Sequence, residues 1–247
     1  MTQLHDVVYV ICFGSSPIVR FKATTDQRLT DINVKGLRDP WDIAACEQTS
    51  QLYLADGECI WRVSADGVNM ERWWPTFSFF TFKPERLSVT STRLLVTSYG
   101  TNQLMQLNAD GKELRRLQLP DYIQANHAVE TPTGTFIVSH KHTQLDQYKI
   151  SEVNTEGEVL QQFSGSRLLS LGEASHVVVD SRANIFVADR HNRHILLLDA
   201  QLKLRRVIID KHQLKNEAPW RLCYTERTGH LLVILARSVA EYDVLRR

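Results

Sequence analysis

The sequence predicts an all-β fold of the repeat type, a six-bladed β-propeller with incomplete first and last blades. Three observations predict it. Five stretches share one strand grammar at a spacing of about 42–49 residues, the period of propeller arrays. Within them, alternating runs rich in β-branched residues are joined by the turn dipeptides Asp66-Gly67, Asp110-Gly111 and Glu156-Gly157, which mark hairpins. No comparable stretch has strong helical periodicity.

The five stretches begin at Asp39, Lys83, Asn126, Ser175 and Ala218. Each opens with a short apolar strand and a polar turn, followed by a second strand with a branched or aromatic centre. That strand ends on a small or polar residue, a loop follows, and a third alternating strand comes next. Full repeats add a Gly-bearing turn and a fourth strand, as at 113–117 and 204–208. Upstream, residues 7–12, 18–21 and 29–34 read as the second, third and fourth strands of an earlier repeat. The expectation is one domain over 1–247, with blades at about 1–36, 37–80, 81–122, 123–171, 172–214 and 215–247. The first blade would then lack its inner strand and the last its outer one. Trp41, Glu85, His127, His176 and Trp220 occupy the equivalent opening position of the five inner strands in this alignment.

Composition narrows the partners. The formal net charge is +1, so any electrostatic function depends on local segregation of charge rather than on a global field. Hydrophobic residues make up 43% of the chain, enough for a sizeable core, and no apolar run approaches a membrane span. The start has no basic segment ahead of its apolar run and alternates like a strand, so no leader peptide is expected. Cys12, Cys46, Cys59 and Cys223 lack paired or metal-type spacing and read as buried free thiols of a cytoplasmic protein. A strand between Cys46 and Cys59 argues against a bridge there.

At VADRHNRHILLLD, residues 187–199, the chain resembles the signature of NHL repeats. A hydrophobic pair and Ala-Asp precede a loop with Asn and basic residues, and an Ile-led strand follows. The family's Asn-His-Arg triplet is here Asn192-Arg193-His194. LADGECIWRV from Leu54 is a shortened version, and LVTSYGTNQLMQL from Leu95 has Ser98 in the Asp place. The fold the resemblance implies hosts binding modules and enzymes alike.

The resemblance also implies that inner strands start, and second-to-third loops lie, on one top face around a channel. Trp41, Glu85, His127, His176 and Trp220 would ring its mouth, with Asp56, Ser98, His140 and Asp189 outside them. Lys141, Arg190, Arg193 and Arg237 would then make this face basic, with Glu58 as its main acid. Arg86 and Arg221 stand one residue beyond the inner ring. Asp66, Asp110, Glu156 and Asp199 fall on the opposite turns, where such residues bond to the local backbone.

Two functional classes follow, with a plain scaffold as a third. The first is a monomeric binding module, without cofactor or membrane contact, that takes a protein or a single-stranded or structured RNA. Such recognition is what the resemblance to the NHL propellers of tripartite-motif ligases implies, and Trp41, Arg86, Lys141, Arg190, Arg193, Trp220, Arg221 and Arg237 would carry it. The second is a lyase or lactone hydrolase with a divalent metal held by Glu85, His127 and His176. A carboxylate and two neutral imidazoles suit such an ion, and in metal-dependent propellers ligands enter the channel at that strand position. No phosphate loop, nucleophile elbow or His-Glu-x-x-His motif is present, and no catalytic residue is assigned.

Overall fold

The structure, a computed structural model, describes residues 1–12, 17–25, 27–75, 82–98, 101–166, 169–236 and 238–244. Every regular element among them is a β-strand, and six antiparallel sheets form the blades of a six-bladed β-propeller. The first sheet holds β1 (Thr2–Leu4), β2 (Val7–Val10), β3 (Pro17–Lys22) and β4 (Arg28–Asn33). The second holds β5 (Asp42–Cys46), β6 (Gln51–Ala55), β7 (Cys59–Ser64) and β8 (Met70–Pro75). The third holds β9 (Arg86–Thr90), β10 (Arg93–Thr97), β11 (Gln103–Leu107) and β12 (Glu113–Gln118), and the fourth β13 (Ile123–Glu130), β14 (Phe136–His142), β15 (Gln147–Val153) and β16 (Val159–Phe163). A two-stranded ribbon, β17 (Gly165–Ser166) and β18 (Leu169–Ser170), leads into the fifth sheet: β19 (Ala174–Val179), β20 (Ile185–Asp189), β21 (His194–Leu198) and β22 (Leu204–Ile209). The sixth holds β23 (Arg221–Thr225), β24 (His230–Ile234) and β25 (Val239–Asp243).

The first blade is complete, which corrects the expectation from sequence. Its inner strand is the three-residue β1, paired Thr2↔Tyr9 to Leu4↔Val7 across a turn in which His5 adopts φ 53°. Three residues are too few to show alternation, so this strand leaves no periodic trace. The last blade has three strands among the described residues.

The chain forms two compact units, Met1–Tyr99 with Gln103–Arg116, and Gly100–Asn102 with Leu117–Arg247. In the first unit, strand alternation sends successive side chains of β6 to opposite sides. Leu52 and Leu54 join a core with Leu4, Ile18 and Ile32, whereas Tyr53 and Ala55 join one with Leu87, Leu94 and Val96. The second unit repeats the device in β20: Ile185 and Val187 face Ile137 and Ile150, while Phe186 and Ala188 face Leu222 and Leu231. A sheet covered on both faces needs continuous apolar strands, which is why IFVA and LYLA carry no polar alternation. Each buried Leu, Ile, Val or Phe among these contributes about 1.5–3 kcal/mol.

In the second to fifth blades the turns between third and fourth strands are each built on one side-chain oxygen. Oδ1 of Asp66, Asn108, Asn154 and Asp199 accepts the amide two residues on, at 2.9–3.0 Å. The acids Asp66 and Asp199 are therefore turn caps, and Asp110 and Glu156 sit beside asparagine caps. All four cysteines are free, with Cys46 and Cys59 buried as expected, but Cys12 is exposed and Cys223 half-buried. Burial pushes the Cys59 thiol up to about 11, so it stays protonated. No helix among the described residues is long and apolar enough to cross a membrane.

Candidate ligand site at the starts of the inner strands

Strand register fixes which residues are equivalent. The inner strands pair with the second strands as Asp42↔Ala55, Arg86↔Thr97, His127↔Ser139, His176↔Ala188 and Arg221↔Ile234. The counterparts of His127 and His176 are thus Asp42, Arg86 and Arg221, each one residue after Trp41, Glu85 and Trp220. The difference has a local cause. β13 and β19 carry a bulge between Ala125 and His127 and between Ala174 and His176, which adds Asn126 and Ser175 to the inner strand.

These positions share a structural duty. In the first unit, Asp42 Oδ2 accepts the amide of Leu87 on the next inner strand at 3.0 Å, and Oδ1 accepts the Ile43 amide at 2.9 Å. In the second unit, His127 Nδ1 accepts the Val177 amide and His176 Nδ1 the Leu222 amide, both at 3.4 Å. An Nδ1 that accepts leaves the proton of a neutral imidazole on Nε2. The two rings, both buried, stack at 3.8 Å between centroids with 22° between planes. Asn126 Nδ2 donates to Ala174 O at 3.0 Å, and Ser175 Oγ donates to Trp220 O at 3.3 Å, so the bulge residues also tie neighbouring strands.

The residues expected outside this position organise loops. Asp189 is fully buried and accepts from the Gly172 amide (3.0 Å), the Asn192 amide (3.1 Å) and Asn192 Nδ2 (2.8 Å). Asn192 Nδ2 also donates to Ser170 O and so pins the β17–β18 ribbon. In the first unit Asp56 plays the same part, accepting from the Cys59 amide and from Trp61 Nε1, both at 2.7 Å. Ser98 Oγ accepts the Lys83 amide at 3.1 Å. His140 is fully buried and bonds through Nε2 to Ser151 Oγ at 2.7 Å. Burial pulls its pKa down from 6.5 to about 4.

The expected basic residues divide. Arg190 sits over Trp220, with its guanidinium carbon 3.5 Å from the ring centroid, and its Nη1 donates to both oxygens of Glu173 at 2.8 and 2.9 Å. Trp220 keeps 41% of its surface exposed, and in the first unit Trp41 keeps 39%. Arg86 reaches Trp41 O at 3.5 Å and Glu85 O at 3.2 Å, with its guanidinium carbon 5.8 Å from the Trp41 ring centroid. Lys141 pairs with Asp146 at 2.6 Å, a hydrogen bond that holds the Asp146 carboxyl below its usual range. Arg193 is exposed, with φ 57°, and Arg221 is half-buried on β23. Arg237 lies outside the described residues. Sequence reasoning missed Glu173 and Asp146 as local acids. Glu173 was findable: the pairing Ala174↔Asp189 makes it the cross-strand neighbour of Arg190, whose amide donates to Glu173 O at 2.8 Å.

No protein-family model and no curated protein matches the chain. Solved structures do. A gluconolactonase from Xanthomonas campestris superposes with a TM-score of 0.72 at 12% identity, over 95% of this chain and 81% of that one. A catalytically inactive H270A virginiamycin B lyase from Staphylococcus aureus, with quinupristin, gives 0.69 at 12%, over 96% and 77%. A protein of unknown function from Bacteroides caccae gives 0.70 at 12%, over 92% and 81%. At such identity the likeness is one of fold, the six-bladed propeller.

Proposed function

We propose that the protein is a binding module of NHL-like repeats that recognises single-stranded RNA through the Trp220–Arg190–Glu173 cluster. One observation carries this reading: a guanidinium set over a part-exposed indole and held there by a carboxylate. The Arg190 guanidinium is held by Glu173 before any ligand arrives, so a base stacking there immobilises little that was free. Aromatic and guanidinium planes accept any base, and stacking contributes about 1–3 kcal/mol per base. Arg193, exposed on the same loop, supplies a phosphate contact. Because Lys141 and Arg190 already have acid partners, binding draws on few uncompensated cations. Its salt dependence is correspondingly shallow, about one or two phosphates' worth.

The test is a titration of single-stranded RNA and of an acidic peptide against wild type, Trp220→Ala and Arg193→Ala at two salt concentrations. The expected result is RNA binding that Trp220→Ala weakens by at least about tenfold, the equivalent of one stack. Arg193→Ala should flatten the salt slope by about one. Binding of the acidic peptide alone would move the ligand class to protein, and binding of neither would remove the reading.

A second reading, a metal-dependent lyase or lactone hydrolase, is favoured by the stacked His127–His176 pair and by what the similar structures are named for. It takes Glu85, His127 and His176 as ligands of a divalent ion that would polarise substrate or activate water. The register places Arg86, not Glu85, at the histidine position, and each imidazole would have to give up an Nε2 proton. Metal analysis of protein prepared with added zinc decides it: stoichiometric metal that His127→Ala abolishes supports this reading, and metal-free protein ends it.

A further inference from the structure

Within the first unit, the first two blades close on the turn that follows them in nearly the same way. In the first, Tyr9 and Arg20 pair across β2 and β3, and both reach the carbonyl of Ala65, just before Asp66-Gly67. Tyr9 Oη donates to it at 3.0 Å and Arg20 Nη1 at 3.3 Å. In the second blade the equivalent pair is Tyr53 and Arg62, and the equivalent carbonyl is that of Ala109, just before Asp110-Gly111. Arg62 Nη1 donates to Ala109 O at 3.2 Å, but the Tyr53 hydroxyl makes no bond to it. Where the first blade is closed, the second leaves a cleft of about 620 Å³, lined by Tyr53, Arg62, Gln51, Asn69, Glu71 and Asp110. Such a departure from a repeated local contact is a mark of functional sites, and the volume is that of small-molecule pockets.

The lining selects the ligand. Arg62 is no spare cation: its Nε and Nη2 both donate to Glu71 Oε1, and Nη1 is on Ala109 O. Asp110 adds an exposed carboxylate, so an anion in the cleft would meet Glu71 and Asp110 against Arg62 alone. The other polar groups are neutral. The side-chain amides of Gln51 and Asn69 bond to no other side chain or backbone group among the described residues. Asn69 is held in place by Ser64, whose Oγ accepts its amide at 3.0 Å and whose amide donates to its carbonyl at 2.9 Å. Burial raises the pKa of Tyr53, so its hydroxyl, beside Thr49 and Arg62, keeps its proton and can donate. We propose that this cleft binds a neutral ring bearing vicinal hydroxyls, the chemistry shared by saccharides and cyclitols, with Gln51, Asn69 and Tyr53 as its polar contacts. A primary amide presents a donor beside an acceptor, and two neighbouring hydroxyls present the complement, so each amide takes a hydroxyl pair. Glu71 Oε2 and Asp110 accept from further hydroxyls.

The experiment titrates the nitrogen-labelled full protein with methyl α-mannopyranoside and, separately, with myo-inositol, and follows the side-chain amide resonances of Gln51 and Asn69. The expected result is saturable shifts of both, with a Kd on the order of 1–10 mM for a ring of about a dozen non-hydrogen atoms held by hydrogen bonds. The ring that binds more tightly identifies the source as saccharide or cyclitol. Asn69→Ala or Tyr53→Phe should each weaken binding about three- to tenfold, the loss of one neutral hydrogen bond. Gln51→Ala combined with Asn69→Ala should weaken it by more than about tenfold. Tyr53→Phe keeps the ring in the core, so it gives the answer should the double variant not fold. Absence of saturable shifts with both rings overturns the proposal. Unchanged affinity in variants with wild-type circular dichroism overturns it as well. Tighter binding of a phosphorylated myo-inositol than of myo-inositol itself overturns it in favour of an anion site at Arg62.

Discussion

Between pH 6.5 and pH 4 the protein should lose about 3 kcal/mol of stability through His140 alone, the pKa difference converted at ~1.36 kcal/mol per unit. The imidazole is wholly buried, and burial is the main force against its charged form, with Lys149 and His142 acting in the same direction. The sign is set by which state binds the proton. Above the ordinary value of 6.5 neither state is protonated at this site, and stability is flat. As pH falls below it, the unfolded chain takes up a proton that the folded chain refuses, so stability falls until the folded pKa of about 4. Asp66, Asp146, Asp199 and Asp210, whose carboxyls are held down by hydrogen bonds, act below the ordinary Asp value of 3.8. Their contribution therefore falls below the window in which His140 acts. Urea titrations at pH 7, 5.5 and 4.5 check this. His140→Leu should cost about 1–2 kcal/mol at pH 7, by orphaning Ser151 Oγ, yet lose most of the slope below pH 6.5. A variant slope parallel to wild type would refute the assignment.

Gly157→Ala should destabilise the protein by more than about 3 kcal/mol, against about 1 kcal/mol for Gly134→Ala. Both glycines sit in turns with nearly the same backbone, φ +86° and +85°, so the cost of a side chain at positive φ is common to the two. They differ in their surroundings. A Cβ on Gly157 collides with the backbone carbonyl oxygen of Gln118, while one on Gly134 meets nothing within 4 Å. That backbone cannot swing aside as a side chain does, so the turn itself must move. Equal midpoints for the two variants in chemical denaturation would show that the Gly157 turn does not approach the Gln118 carbonyl as described.

The two glycines also show what the sequence makes legible. Asp66-Gly67, Asp110-Gly111 and Glu156-Gly157 mark hairpin turns because φ near +80° selects glycine, and that constraint is local. The blade period is legible for the same reason, as a repetition of local strand and turn chemistry. Register is not local. A bulge adds a residue without altering the pattern of apolar side chains before or after it, so Asn126 and Ser175 displaced the alignment of Trp41, Glu85 and Trp220 by one. Nor was the first inner strand legible, since Thr2–Leu4 gains its identity from pairing with β2. The candidate site divides likewise. Arg190 and Trp220 were legible as members of one repeat position and one loop class. That the guanidinium carbon of one lies 3.5 Å from the ring centroid of the other, with Glu173 holding it, depends on how the fifth and sixth blades meet.

The most direct test of the binding reading is to watch the Trp220 indole N–H during an RNA titration, using nitrogen–proton spectra of the full protein with the five tryptophan resonances assigned by single Trp→Phe variants. A short single-stranded RNA should shift the Trp220 resonance and the Arg190 Nε resonance together and in proportion to occupancy. The buried-side resonance of Trp61, bonded to Asp56, should stay in place. RNA binding that leaves Trp220 and Arg190 unmoved, while other tryptophans shift, would contradict the account.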